Sequence, residues 1–412
     1  MESTANIGRP AAHKLEELAH MGSISVIELV DKLIEEAHIL RASDIHIDPV
    51  VQGLVVRLRI DGMLQDKFSF EKRIHPEIIS RIKIMSSLRT DEHQAAQDGR
   101  FRAVLKDKTP VDVRVSITPT YYGENAVLRL LADNEADFTL ETLGFTKENQ
   151  QKLMRAIRRP HGMILATGPT GSGKTTTLYT LLKMLNTKTV SIITIEDPVE
   201  YAVSGITQIQ INTQAGLTFA SGLRSILRQD PNIIMVGEIR DAETAAIAIN
   251  TALTGHLILS TLHTSDSATT LPRLLDMGVD PYLVASTVNV AIGQRLVRKI
   301  CGSCREEYAL SDAERESLMG VLLPGQLSDT QKFFRGKGCE ECEGTGYAGR
   351  IGIHEVMLID TDVRDAILKK ASAAAIREIA KKNGMTTMFA DGFIKAEAGQ
   401  TTIEEVLRTV NE

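Results

Sequence analysis

A chain of 412 residues with 43% hydrophobic content is long enough for two or three packed domains and has too much apolar side chain to remain disordered. Its formal net charge of -6 and 4% aromatic content supply neither the bulk attraction nor the stacking surface of a general nucleic-acid binder. No apolar run approaches the roughly 20 residues that span a bilayer, and the opening Met1-Glu2-Ser3-Thr4-Ala5-Asn6 lacks the basic-then-apolar order of a signal peptide, so the expectation is a cytoplasmic protein that meets a membrane only through partners.

Residues 1–38 read as a helical lead-in, with Leu15, Leu18 and Ala19 followed by Val26, Leu29, Leu33 and Ile34 at helical spacing. From Ser43 the period falls to two: Ile45 and Ile47 alternate with Asp44 and His46, and Val56, Leu58 and Ile60 run into Asp61-Gly62, a hairpin signal. A helix carrying Ile74, Ile78, Ile79, Ile82 and Met85 follows, then strands at 101–104, 111–115 and 127–131. This pattern predicts a small α+β domain over residues 39–134, a linker over 135–145 and a second domain over 146–412. The second domain alternates strands with helices, which implies an α/β fold with a mostly parallel sheet. It turns helical over 360–412, where Thr401 and Glu404 are spaced as a capping box.

The strongest local signal is Gly168-Pro169-Thr170-Gly171-Ser172-Gly173-Lys174-Thr175-Thr176, which fills the phosphate-loop pattern between the apolar stretch Met163–Ala166 and a helix bearing Leu178, Leu181, Leu182 and Leu185. Glycines let the backbone curl so that its N–H groups face phosphate oxygens, and the helix start adds roughly half a positive charge. Lys174 reaches the β- and γ-phosphates of ATP in this reading, and Thr175 ligates Mg2+. A chance glycine-rich turn is the alternative.

Past the loop, Thr194–Glu200 sets Glu196, Asp197 and Glu200 just after an apolar strand, either as holders of metal-bound water or as a solvated turn around Pro198. Ile233–Val236 is a further strand, and Glu238 at its end is the main candidate to orient water, against the alternative of a surface carboxylate. His256 and His263 bracket a third strand, as phosphate sensors or as turn histidines. Cys301 with Cys304, and Cys339 with Cys342, form two Cys-x-x-Cys pairs suited to a structural Zn2+ site within a module over 298–350, with a redox pair as the alternative.

Together these residues resemble the type II secretion and type IV pilus assembly ATPase family. The resemblance covers nearly the whole chain, including Ala42–Pro49, Arg59–Gly62, Gln97–Arg100, Asp112–Ser116, Gly123–Leu131, the phosphate loop, the acidic and histidine segments and the paired cysteines. It implies a RecA-like nucleotide domain with an inserted tetracysteine zinc module, a smaller PAS-like N-terminal domain, and a homohexamer with nucleotide between the two domains. By family position, Arg114, Arg129, Arg224 and Arg228 complete that site as transition-state cations, beside Glu200, Glu238 and His263. It further implies an inner-membrane platform protein and a cytoplasmic adaptor as partners, and a peripheral place on the inner membrane. Larger members carry extra N-terminal domains, and the four cysteines favour the extension and secretion branch over retraction motors.

The resulting expectation is a Mg-dependent ATPase that powers pilus or pseudopilus assembly. Its rivals are a nucleic-acid translocating or DNA-uptake motor, a pilus retraction ATPase and a regulator that binds ATP without turnover.

Overall fold

The computed structural model describes residues 24–132, 138–311, 315–316, 318 and 331–411. The stretch bearing Leu15, Leu18 and Ala19, and part of the expected linker, lie outside them. The described residues fall into two compact units, separated between positions 136 and 137.

The first unit begins with α1 (Val26–Ile39), capped by Ser25, whose hydroxyl accepts from the Glu28 N–H. It continues through β1 (Asp44–Val50), β2 (Gly53–Ile60), β3 (Met63–Glu71), α2 (His75–Met85), β4 (Gln97–Val104), β5 (Pro110–Thr120) and β6 (Gly123–Ala132). The strands form an antiparallel sheet in the order β3-β2-β1-β6-β5-β4. Alternation decides its faces: Ile45, Ile47, Val56, Leu58, Val113, Val115 and Leu128 are buried together with Leu29, Leu33, Ile78 and Ile82 of the two helices. The helix expected as a lead-in thus belongs to this core. At the β2–β3 turn Asp61 and Gly62 both have positive φ, 50° and 88°, the backbone that an Asp-Gly hairpin requires.

The second unit holds α3 (Lys147–Ile157), β7 (Gly162–Thr167), α4 (Lys174–Leu185), β8 (Ile192–Glu196), β9 (Thr207–Gln210), α5 (Phe219–Ile226), β10 (Ile233–Val236), α6 (Ala242–Leu253), β11 (Leu257–Leu262), α7 (Ser267–Asp276), α8 (Pro281–Thr287) and β12 (Val288–Ile300). The short β13 (Arg305–Tyr308) and β14 (Phe333–Gly336) pair with each other, and β15 (Tyr347–Leu358) returns to the main sheet before α9 (Thr361–Leu368), α10 (Ala373–Lys382), α11 (Met388–Glu397) and α12 (Ile403–Asn411). The seven-stranded sheet has the order β15-β12-β7-β11-β10-β8-β9 and is parallel except at β15. Strands β7, β8, β10 and β11 are buried at every position, as continuous apolar runs predict for a sheet covered on both faces.

The last helix corrects one expectation. Thr402, not Thr401, caps α12 by accepting from the Glu405 N–H at 3.2 Å, whereas the Thr401 hydroxyl donates to the Arg298 carbonyl at 2.7 Å. The helix is pinned to β12 by Glu405, whose carboxylate lies 2.6 Å from Arg298. Burial alone would raise the Glu405 pKa, but the hydrogen bonds from Arg298 and Arg408 hold it down at about 2.

Candidate functional site

The loop from Gly168 to Gly173 joins β7 to α4, so the helix N-terminus points its free N–H groups at whatever anion the loop holds. Gly168 has φ of 149°, and a side chain there would strike the Gln294 carbonyl at 2.5 Å and Ser172 Oγ at 2.6 Å. Gly173, the N-cap, has φ of 86° and is equally suited to glycine. Behind the loop, buried Gln294 of β12 donates from Nε2 to the Ser172 carbonyl at 2.7 Å. Its role is invisible in sequence, because it depends on β12 pairing directly with β7.

Lys174 folds back over the loop, donating to the Gly168 and Pro169 carbonyls at 2.9 Å each. Burial pushes its pKa down to about 8, against the pull of the Glu238 charge and with a further push from Arg295. A bound polyphosphate favours the charged lysine, so protonation and binding are linked. Affinity for an ATP analogue is expected to hold below pH 8 and then to fall by up to roughly tenfold per pH unit until the bound-state pKa is passed. Titrations between pH 7 and 10 check this; a flat profile would show that Lys174 does not change partners on binding.

Glu238 follows β10 at the same sheet edge. Gly237 precedes it because a side chain there would meet Glu196 Cα and the Ile195 carbonyl at 3.3 Å. Its N–H donates to Ile195 and its carbonyl accepts from Thr261 Oγ1 at 2.7 Å, which fixes the strand end. The Glu238 carboxylate is 10% exposed, with Oε1 2.6 Å from Arg240 Nη2 and Oε2 3.0 Å from His263 Nε2. His263 therefore meets Glu238, as its position at the end of β11 allows. His256 does not: it precedes β11, and its Nδ1 lies 3.2 Å from the Thr251 carbonyl. Six strand residues separate the two histidines, about 20 Å of extended chain, so His256 lies at the opposite edge from the phosphate loop.

The acidic segment divides its labour. Glu196 is buried, accepting hydrogen bonds from Thr194 Oγ1 at 2.5 Å, from Gln208 Nε2 at 3.3 Å and from the hydroxyl of Tyr179 on α4. Burial raises its pKa, although those donors pull the other way. It ties the phosphate-loop helix to the neighbouring strand, leaving Asp197 and Glu200 as the more accessible acids.

The arginines occupy different settings. In the first unit Arg114 and Arg129 are cross-strand neighbours, and Arg129 Nε lies 2.9 Å from Asp44, which also faces Arg59 at 3.4 Å. Burial would raise the Asp44 pKa, but hydrogen bonds from Arg129 and Ser43 and the guanidinium charges hold it below the carboxylate range. In the second unit Arg224 pairs with Glu243 at 2.6 Å, and Arg228 donates to the Arg224 carbonyl and to Ser225 Oγ.

The four cysteines converge. All four sulfurs lie within 4.8 Å of one another, with Cys301–Cys339 and Cys304–Cys342 at 3.8 Å and Cys339–Cys342 at 3.7 Å. Disulfide sulfurs sit near 2 Å, whereas about 3.8 Å is the edge of a tetrahedron with metal–sulfur bonds of about 2.3 Å, so the set fits zinc. Burial would raise the Cys342 pKa, yet the Cys339 and Gly346 N–H groups, each 3.2 Å from its sulfur, bring it to about 7 and favour the thiolate.

A model of the family described as "Type II/IV secretion system protein" matches residues 19–408. This chain belongs to that family. It is 47% identical to type II secretion system protein E of Xanthomonas campestris pv. campestris, over 99% of this chain and 72% of the relative. It is 46% identical to the type IV pilus assembly ATPase PilB of Thermus thermophilus, over 93% of this chain and 43% of that protein. Among solved structures, the pilus retraction motor PilT with bound ADP superposes with a TM-score of 0.62 at 25% identity, covering 92% of this chain and 96% of PilT. The ATPase DotB of Legionella pneumophila shares the fold, with a TM-score of 0.67, 22% identity and coverage of 92% and 94%. The family member described here thus has the α/β fold of secretion and pilus ATPases, and no helix among its described residues is long and apolar enough to cross a membrane.

Proposed function

We propose that this chain hydrolyses ATP within a homohexameric ring and uses the resulting domain motion to drive assembly of pilus or pseudopilus subunits at the inner membrane. The carrying observation is the meeting, at one sheet edge, of the phosphate loop, Lys174 and a nearly buried Glu238 whose charge acts on that lysine. The loop N–H groups bind the phosphates, and Lys174 exchanges its two carbonyl partners for β- and γ-phosphate oxygens. Glu238 accepts a hydrogen bond from the attacking water, which adds to the γ-phosphorus. The bond to the bridging oxygen breaks, ADP leaves with the electron pair, and the water proton ends on the released phosphate or its buffer.

The hard oxygen donors of Thr175 and Glu200 suit Mg2+, which they would hold directly or through water; when bound it neutralises charge on the phosphates. Arg114, Arg129, Arg224 and Arg228 serve the assembled ring as cations for the transferring phosphoryl group. An inner-membrane platform protein and a cytoplasmic adaptor would recruit the ring. Assembly is favoured over retraction by the 46% identity to the pilus assembly ATPase over 93% of this chain.

Hydrolysis measured with and without duplex or single-stranded DNA separates this reading from a nucleic-acid motor. DNA-independent turnover is the expected result. Stimulation of roughly tenfold or more by DNA, the pattern of a translocase, would overturn it.

A further inference from the structure

We infer that Arg100 is a further cation for the transferring phosphoryl group of ATP, the outer member of an arginine row that crosses the sheet of the first unit. This rests on the reading of Arg114 and Arg129 given above. The strand register builds the row: Arg100 of β4 stands opposite Arg114 of β5, Arg114 opposite Arg129 of β6, Arg129 opposite Asp44 of β1, and Asp44 opposite Arg59 of β2. Alternation turns all five to the face away from the hydrophobic core, because their strand neighbours Phe101, Val113, Leu128, Ile45 and Leu58 pack into it. Four guanidiniums therefore share one row with a single carboxylate.

Like charges set directly opposite on neighbouring strands repel, and a carboxylate in one of the two places removes the cost. The next row does this: Arg102 stands opposite Asp112, with Nε 3.1 Å from its Oδ1. In the arginine row Asp44 is already committed, through Oδ1 to Arg129 at 2.9 Å and through Oδ2 to Arg59 at 3.4 Å. Among the described residues the side chains of Arg100 and of Asp98, the acid nearest it along β4, have no hydrogen-bond or ion-pair partner. Arg100 is also exposed. A guanidinium with all five donors unspent, facing a second guanidinium, suits an anion from outside the sheet. Neighbouring strands lie about 4.8 Å apart, so Arg100, Arg114 and Arg129 span about 10 Å, and their stems are long enough to converge on one phosphoryl group. The planar forks match its oxygens. Arg59 stands two strands further on, fastened to Asp44 and to the Gly62 carbonyl, and takes no part.

The test is steady-state ATP hydrolysis by the full chain, at a protein concentration where the parent's specific activity has levelled off, for the parent, Arg100→Ala, Arg100→Lys, Arg102→Ala, Arg114→Ala and Arg129→Ala. Arg100→Ala is expected to lower kcat/KM for ATP by roughly ten- to hundredfold, the worth of one charge-assisted hydrogen bond, with ADP affinity within a fewfold of the parent. Arg100→Lys should keep part of the rate, having the charge without the fork, and Arg102→Ala, which removes an exposed and already paired cation, should match the parent. Parental turnover in Arg100→Ala beside impaired Arg114→Ala and Arg129→Ala overturns the role of Arg100 alone. Parental turnover in all three removes the whole arginine reading. A rate in Arg100→Ala that recovers fully at higher protein concentration makes Arg100 a contact between copies and overturns its role at the phosphate, as does an equal loss of ADP affinity. The substitution breaks no ion pair and relieves repulsion, so Arg100→Ala should melt no earlier than the parent; an earlier melt overturns the inference in favour of a structural role.

Discussion

Glu238→Gln is expected to cut kcat by roughly two to four powers of ten while leaving ATP affinity within a fewfold of the parent. The amide is nearly isosteric and its oxygen can still accept from His263, so the strand end should keep its shape. What is lost is the anionic acceptor for the attacking water. Nucleotide binding rests on the loop N–H groups and on Lys174, whose hydrogen bonds go to the Gly168 and Pro169 carbonyls; Glu238 acts on Lys174 through its charge alone, so affinity should shift only a little. Single-turnover hydrolysis together with equilibrium binding of an ATP analogue measures both quantities. Turnover within a fewfold of the parent would remove Glu238 from the chemistry.

Cys339→Ser is expected to empty the tetracysteine site and to loosen the module built around it. Three thiolates and a hydroxyl bind zinc far more weakly than four thiolates, and in small metal-bound modules the binding free energy is folding free energy. The backbone beside the sulfurs is tightly drawn: Gly336 and Gly346 approach so closely that a side chain at Gly336 would meet the Gly346 carbonyl at 2.1 Å. Bound zinc should fall by roughly tenfold or more, with earlier proteolysis between β12 and β15. Unchanged zinc content would show that the four sulfurs do not act as one ligand set.

Much of the fold is legible in sequence because its signals are local. The run Met163–Ala166, the glycines after it and the leucine spacing of α4 lie in one continuous stretch, and both cysteine pairs carry their spacing within four residues. What stayed hidden depends on strand neighbours. Gln294 backs the loop only because β12 lies beside β7, and Tyr179 reaches Glu196 only because α4 packs near β8. The two histidines around β11 look equivalent in a linear reading, yet strand direction sends His256 to the far edge. The cap of α12 lies one residue beyond the expected one because Thr401 and Thr402 are both suited to it, and contact with Arg298 decides between them. The contact of Arg240 with Glu238 is not legible in sequence, because nothing in its spacing distinguishes Arg240 from an ordinary loop cation.

The most direct test of the ring motor is the specific rate of ATP hydrolysis against protein concentration. A ring whose sites need more than one subunit predicts a specific activity that rises steeply with concentration and then levels off as hexamers fill. Undetectable hydrolysis across that range, with ATP still tightly bound, would contradict it and leave a nucleotide-binding regulator in its place.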